Sequence, residues 1–120
     1  MTFEEIRKNL SLIDDPAMKL EAVMDIGKTL LVPPADAKCT EILGCASFVQ
    51  ICRCGNNFFG TADSMMVRGI VAIILSMVDG HTADEIRNMP LETWFGDLKI
   101  NIGAARLNGV NSMIRFLKNL

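Results

Sequence analysis

The feature of this sequence that most constrains its fold is a nearly unbroken apolar run over residues 70–78. Asp63 or Ser64 can cap a helix that leads into this run, and the pair Asp79-Gly80 is typical of a helix end. A helix that is apolar almost all the way round has no face suited to water. The run is also far too short to span a membrane. We therefore expect it to be the central buried helix of a small globular fold.

The N-terminal third of the chain predicts two further helices. Thr2 and Glu5 form a capping box for a first helix over residues 3–10. Asp15-Pro16 is typical of the start of a second helix, because aspartate caps free amides and proline suits the first helical position. Pro33-Pro34 should end that helix. Its apolar stripe consists of Leu20, Val23, Ile26 and Leu30.

The C-terminal third is also helical in pattern. Thr82 and Glu85 form a second capping box, which predicts a short helix that stops before Pro90. Residues 91–98 predict a turn of helix or irregular chain. The last helix carries a core-facing stripe at helical spacing, formed by Leu107, Val110, Ile114 and Leu117.

The middle of the chain predicts a small antiparallel sheet. Residues 35–44 have no clear period and predict a loop, whereas residues 47–52 are rich in strand formers. Gly55-Asn56 is a turn signal, and residues 57–60 fit the returning strand. Helices, then a hairpin, then helices form an α+β pattern. We expect one domain over residues 1–120, with a small antiparallel sheet packed against helices.

Composition excludes some classes of function. The formal net charge is -2, whereas non-specific nucleic-acid binding requires an excess of Lys and Arg. The N-terminal residues contain early acidic side chains and no apolar segment of the kind found in a signal peptide. We therefore expect a soluble, cytoplasmic protein that binds neither nucleic acid nor membrane.

The four cysteines, Cys39, Cys45, Cys52 and Cys54, lie in one short segment. A disulfide framework usually spreads its cysteines along the chain, so this clustering favours thiol chemistry or metal binding. The spacing lacks the close cysteine pair of most zinc sites and the Cys-x-x-Cys of redox modules. Cys39 is predicted to be a loop or packing cysteine. Cys52 and Cys54 share one face of a strand, where they could pack, relay sulfur or bind metal.

Three segments, taken together, carry a family resemblance. They are residues 44–49 (Gly-Cys-Ala-Ser-Phe-Val), residues 59–64 (Phe-Gly-Thr-Ala-Asp-Ser) with Val67-Arg68-Gly69-Ile70 behind them, and residues 106–113 (Arg-Leu-Asn-Gly-Val-Asn-Ser-Met). Each segment alone is weakly specific, but the ordered set is fairly specific. Over most of its length the chain resembles the SufE family, which includes SufE and its relative CsdE.

The chain departs from the family pattern at a few positions. The family usually has proline where Leu43 stands and tryptophan where Gln50 stands, and Cys52 and Cys54 lie outside its pattern. These differences leave the expected fold unchanged. They bear on which desulfurase is the partner and on whether Cys45 is the only reactive thiol.

The resemblance implies a fold similar to that of U-type iron–sulfur scaffolds and a role as a sulfur acceptor rather than a free-standing enzyme. It implies that Cys45 takes persulfide sulfur from a cysteine desulfurase of the SufS or CsdA type, stimulates that enzyme, and delivers the sulfur to an iron–sulfur scaffold. It implies no cofactor or bound metal, and either a monomer or a homodimer. The alternative is a zinc-binding or U-type iron–sulfur scaffold protein that uses the clustered cysteines.

Two further residues of the motifs are candidates for the site. A cation near a thiol increases its thiolate fraction at neutral pH. Arg106 is the motif residue that can supply this charge to Cys45, and Asp63 is its candidate ion partner. Asp63 has an equally good structural explanation as a helix cap.

Overall fold

The computed structural model describes residues 1–120 and contains six helices and one three-stranded sheet. In chain order the elements are α1 (Phe3–Ser11), α2 (Pro16–Gly27), β1 (Lys38–Glu41), β2 (Val49–Cys54), β3 (Asn57–Ala62), α3 (Met65–Val78), α4 (Ala83–Arg87), α5 (Leu91–Asp97) and α6 (Ala104–Lys118). The α+β class expected from the sequence is confirmed. No helix is both long enough and apolar enough to cross a membrane.

The apolar helix predicted from residues 70–78 is α3, and it lies at the centre of the structure. Ten of its fourteen residues are buried, and all of these except Gly69 belong to a single hydrophobic cluster with side chains from every other helix and from the sheet. Ser64 caps its first turn by accepting a hydrogen bond from the Val67 amide at 3.1 Å. Asp63, the other candidate cap, makes no such bond.

Helix α2 crosses α3 so closely that the two backbones are in contact. A Cβ atom at Gly69 would lie 2.0 Å from the Val23 carbonyl oxygen, which is inside van der Waals contact. The α2 residues that face this crossing, Val23 and Ile26, are buried. Only glycine lets the two helices approach this closely, and the approach closes one side of α3 to water.

The sheet covers another side of α3. Its strands are antiparallel in the order β1-β2-β3, so β2 is central and β1 is an edge. Val49 and Ile51 of β2 and Phe58 and Ala62 of β3 are buried in the core. The Asp79 carboxylate at the end of α3 accepts a hydrogen bond from the Phe58 amide at 2.9 Å, and this bond links the helix to the hairpin.

Two predicted boundaries were wrong. Helix α2 ends at Gly27, so Leu30 lies beyond it. There the chain changes to tighter turns, with the Thr29 amide bonded to the Ile26 carbonyl at 3.0 Å. Residues 38–41, predicted to be loop, form β1, whose four residues are all exposed. An exposed edge strand needs no alternation of apolar and polar side chains, so it left no pattern to recognise.

The C-terminal half mostly follows its predictions. The Thr82 capping box is present, and residues 91–97 are helical. In α6 the stripe positions Val110, Ile114 and Leu117 are buried, but Leu107 is 47% exposed, against expectation. Leu107 lies in the first turn of α6, at a surface of the protein rather than in its core.

The α2–α3 crossing predicts that Gly69→Ala destabilises the protein. The added methyl group would overlap the backbone of Val23, and overpacking of this kind costs about 2–3 kcal/mol in the free energy of unfolding. Urea unfolding followed by circular dichroism measures this change. Gly96→Ala is the matched control, since Gly96 is helical and a Cβ atom there meets nothing within 4 Å.

The control should be neutral or more stable by about 0.5–1 kcal/mol, because alanine is the better helix former. Equal stabilities for the two variants would show that the crossing tolerates a side chain at Gly69.

Candidate functional site

Cys45 lies in the loop that joins β1 to β2, at residues 42–48. The preceding residue, Gly44, has a φ of +88°, a backbone conformation that residues other than glycine rarely adopt. An ideal Cβ atom at Gly44 would lie 2.6 Å from the Ser112 hydroxyl oxygen of α6. The positive φ therefore favours glycine here, and the close approach to Ser112 brings Cys45 against α6.

The Cys45 side chain points at the backbone of α6. Its Sγ lies 3.8 Å from the Gly109 carbonyl oxygen, to which the thiol can donate a weak hydrogen bond. A Cβ atom at Gly109 would stand 3.4 Å from Cys45 Sγ. The sulfur therefore packs close to α6 at Gly109, where a Cβ atom would already be in van der Waals contact with it. The residue is half-buried, so the sulfur is sheltered without being sealed from outside.

A small cavity of about 20 Å³ opens beside this thiol. Most of its lining is apolar, and its volume suits a single water-sized group. All three segments that carried the family resemblance contribute to it: Cys45, Ala46, Ser47, Val67, Ile70, Ala105, Arg106, Gly109 and Met113. The structure therefore brings together in space the motifs that are far apart in the sequence.

The two candidate supporting residues are placed differently. Arg106, in the first turn of α6, lines the cavity and is otherwise exposed. Asp63 is also exposed, but it does not line the cavity and forms no ion pair with Arg106. Its backbone amide bonds to the Phe48 carbonyl oxygen at 3.4 Å, in the extended chain before α3.

Burial raises the pKa of the Cys45 thiol above the ordinary value for cysteine. The cause is the loss of water around the sulfur, which disfavours the charged thiolate. No cation offsets this effect in the isolated chain, and the Arg106 guanidinium does not lower the pKa. At neutral pH the resting side chain is therefore the protonated thiol.

The other three cysteines lie on the sheet, away from this cavity. Cys39 is in β1 rather than in a loop, and it forms a disulfide with Cys52 of β2. The sequence did not predict this bond, because β1 was not recognised. Cys54 is a free thiol at the end of β2. No group of three or more His, Cys, Asp or Glu side chains converges in a way that could hold a metal ion.

Two residues of the site were not identified as site residues from the sequence alone. Gly109 and Ser112 both belong to the third motif, but nothing in their type indicates which side chains face a loop elsewhere. Their spacing of three residues, one helical turn, is the signal that could have placed them on one face. The complementary glycine in the loop, Gly44, stood in the first motif.

Comparisons with known proteins show which family the chain is similar to. A family model described as SufE, the Fe-S metabolism associated domain, matches residues 4–120. An uncharacterized SufE-like protein of Rhizobium meliloti (strain 1021) is 28% identical over 130 residues, spanning 98% of this chain and 93% of that protein. The sulfur acceptor protein CsdE of Escherichia coli (strain K12) is 28% identical over 122 residues, spanning 94% of this chain and 83% of CsdE.

The fold also has a solved counterpart. The solution structure of a hypothetical protein from Thermus thermophilus matches with a TM-score of 0.75 at 12% sequence identity. The match covers 99% of this chain and 94% of the other. At this identity the likeness concerns the fold alone.

The burial of Cys45 predicts slow alkylation at neutral pH. Because only the thiolate reacts, the rate with iodoacetamide should rise with pH and reach half its plateau above the value of about 8.5 for an unperturbed cysteine. Peptide mapping assigns the label to Cys45, and Cys45→Ser removes it. A half-plateau below about pH 8 would show that a cation lowers the pKa after all.

Proposed function

We propose that this chain, which belongs to the SufE family of Fe-S metabolism associated domains, accepts sulfur on Cys45 from the persulfide of a cysteine desulfurase. The observation that carries the proposal is the half-buried thiol on a loop, beside a cavity with room for about one further atom. The relative CsdE is named a sulfur acceptor protein, which supports the same chemistry here.

The reaction that this site suits is a transfer between sulfur atoms. The Cys45 thiolate attacks the terminal sulfur of the desulfurase persulfide, and the existing S–S bond breaks as a new one forms. The desulfurase cysteine leaves as a thiolate and takes up the proton that Cys45 gives up. The products are a Cys45 persulfide and a desulfurase whose cysteine is free for another turnover. The chain would stimulate the desulfurase by removing the persulfide sulfur from its cysteine.

The cavity gives the transferred sulfur a sheltered position. Its lining beside Cys45 includes Val67, Ile70 and Met113, which carry no ionisable group. A persulfide held against these side chains would be shielded from water and oxidants between the two transfers. The raised pKa of the thiol fits a resting acceptor that becomes reactive only when a partner approaches and changes its surroundings.

Exposed apolar side chains flank the site and support contact with a protein partner. Leu43 and Phe48, on either side of Cys45 in the loop, are 81% and 40% exposed, and Leu107, next to Arg106, is 47% exposed. Large apolar side chains that remain exposed together are typical of interaction surfaces. A desulfurase must place its persulfide at Cys45, so we assign this surface to that partner. The same surface gives a route to a homodimer in its absence.

In this proposal Arg106 and Asp63 support the transfer rather than perform it. Arg106 stands at the cavity, where its guanidinium would face the anionic sulfur of an incoming persulfide. Asp63 is exposed and carries no ion pair of its own in this chain, so its carboxylate is available to a basic group of the partner. Their role would thus begin when the complex forms.

The proposal extends to where the sulfur goes. The persulfide on Cys45 would be passed to an iron–sulfur scaffold, the recipient expected of this family, in a compartment that keeps thiols reduced, such as the cytoplasm. The chain would act as a transfer accessory of the desulfurase and need no cofactor of its own. The alternative, a metal site built from the clustered cysteines, finds no converging set of ligands to support it.

Incubation with a cysteine desulfurase and L-cysteine without reductant should add the mass of one sulfur atom to the protein. Peptide mapping should place this sulfur on Cys45, because that thiol alone has the cavity beside it. Cys45→Ser should abolish the gain, whereas Cys54→Ser, which removes the other free thiol, should retain it. Sulfur on Cys54 instead, or on no cysteine with an active desulfurase, would overturn the assignment.

The exposed apolar surface predicts that a substitution away from Cys45 also lowers the rate of sulfur transfer. Leu107→Ser should lower kcat/KM for sulfur transfer by about fivefold, because truncating a side chain near the centre of an interface costs about 1 kcal/mol or more. Leu12→Ser is the matched control, because Leu12 is 76% exposed at the end of α1. Equal transfer rates for the two variants would show that Leu107 does not contribute to the desulfurase contact.

A further inference from the structure

Cys39 and Cys52 face each other across two antiparallel strands. The Ile42 amide donates to the Val49 carbonyl oxygen at 2.8 Å, which makes residues 42 and 49 a hydrogen-bonded pair. Pairs alternate along an antiparallel ladder, so Cys39 and Cys52, three positions away, form a non-hydrogen-bonded pair. Side chains come closest at such positions, and the two Cα atoms are 3.9 Å apart. The backbone therefore holds the two sulfur atoms within bonding reach.

The pair lies on the outer face of the sheet. Side chains alternate between the two faces of a strand, so Ile51 and Arg53 point to the face opposite Cys52. Ile51 belongs to the hydrophobic core, so that opposite face is the inner one. Cys52 is only 1% exposed although it is not part of the core cluster, whereas Cys39 on the edge strand is exposed. Cys39 is therefore the residue of the pair that a molecule from solution can approach, whereas Cys52 is enclosed.

We propose that Cys39 and Cys52 are a reversible thiol–disulfide site that exchanges with small-molecule disulfides such as oxidised glutathione. Cys39 is the sulfur that reacts with the outside molecule, and Cys52 is the resolving partner. The geometry assigns these roles, because an attacking or attacked sulfur must be accessible whereas a resolving thiol needs only its neighbour.

The exchange proceeds in two balanced steps. The Cys39 thiolate attacks one sulfur of the small disulfide, its S–S bond breaks, and one small thiol leaves with a proton. The Cys52 thiolate then attacks Cys39 Sγ and displaces the second small thiol. The protein pair loses two electrons and two protons, which reduce the small disulfide to two thiols. In the reverse direction a small thiol attacks Cys39 Sγ and releases Cys52.

The position of this pair links it to Cys45. The disulfide joins residues 13 positions apart, and Cys45 lies inside the segment that it closes. Strand β1 is four exposed residues long and pairs only with β2. When the bond is reduced, the ladder with β2 is what still holds β1, and the loop that carries Cys45 continues directly from it. Oxidation should therefore limit the opening of the Cys45 segment, and reduction should permit it.

The functional meaning of this switch rests on the proposed function of Cys45. A sulfur acceptor must present its thiol to a desulfurase, so reducing conditions would favour the form in which the Cys45 segment opens. Oxidising conditions would hold that segment closed against α6. The chemistry of the pair itself does not depend on sulfur transfer.

The first experiment equilibrates the full chain with glutathione at increasing ratios of oxidised to reduced form. Acid quenching, alkylation and peptide mapping then measure the fraction of the pair in the disulfide. We expect conversion between dithiol and disulfide without change in the circular dichroism spectrum. A disulfide that persists in reduced glutathione until urea unfolds the chain, or a pair that never oxidises, would overturn the proposal.

Single variants test which sulfur reacts first. Cys52→Ser should trap glutathione on Cys39, whereas Cys39→Ser should leave Cys52 unmodified or react at least about tenfold more slowly, because that sulfur is buried. Cys54→Ser is the matched control and should leave the exchange of the pair unchanged. Glutathione on Cys52 in preference to Cys39 would contradict the assigned roles. If a variant fails to fold, the glutathione equilibration of the unsubstituted chain still tests whether the disulfide is reversible.

The second experiment tests the link to Cys45 without any desulfurase. Amide hydrogen exchange of residues 38–48 and alkylation of Cys45 should both be faster with the pair reduced, by about tenfold or more, because the disulfide removes the freedom of the loop that it closes. Amides of α3 should not change and serve as the internal control. Equal rates in both states would overturn the link while leaving the sulfur-acceptor role of Cys45 open to its own assay. Faster exchange without sulfur transfer would instead count against the acceptor role alone.

Discussion

The structure depends on the complete burial of α3. This helix has no face that suits water, so α2, the sheet and the helices of the C-terminal half must cover it from every side. At the crossing with α2 the backbones of the two helices come so close at Gly69 that no side chain fits between them. Because the cover comes from elements far apart in the chain, burying one helix determines how the remainder is arranged.

The candidate site is a consequence of that arrangement. Covering α3 places α6 next to the loop after β1, and two small residues of α6, Gly109 and Ser112, leave space for Gly44 and Cys45. Val67 and Ile70 of α3 form part of the floor of the cavity beside the thiol. The helix that stabilises the fold thus also supplies apolar walls to the site. Substitutions in α3 would alter both stability and the surroundings of Cys45.

The surroundings of Cys45 favour protection over reactivity. Burial raises the pKa of the thiol, and no cation of the isolated chain offsets this. A thiol of this kind reacts more slowly with solvent oxidants at neutral pH than an ordinary cysteine, since the thiolate is the nucleophile. A sulfur carrier needs such restraint between transfers, and contact with a partner can then supply what is missing. The sheet holds a different pair, Cys39 and Cys52, in which Cys39 is exposed on the edge strand and Cys52 is buried beside it.

The sequence alone determined the α+β class, most of the helices, the central place of α3 and the identity of Cys45 as the candidate acceptor. These follow from local signals: capping residues, helical periodicity, a turn dipeptide and short motifs. All of them can be recognised from neighbouring residues, without knowing which distant residues are in contact. Boundaries were less certain where packing decided them, as at Gly27, where the helix gives way to tighter turns.

Only the tertiary structure decided which cysteines meet, which residues surround Cys45 and which charges act on it. Strand β1 was invisible in the sequence because an exposed edge carries no apolar alternation, and the Cys39–Cys52 bond was hidden with it. Arg106 reaches the cavity whereas Asp63 does not, although both belong to the family motifs. The physical reason is that contacts between distant residues depend on how every element packs around α3, and no local pattern encodes that distance.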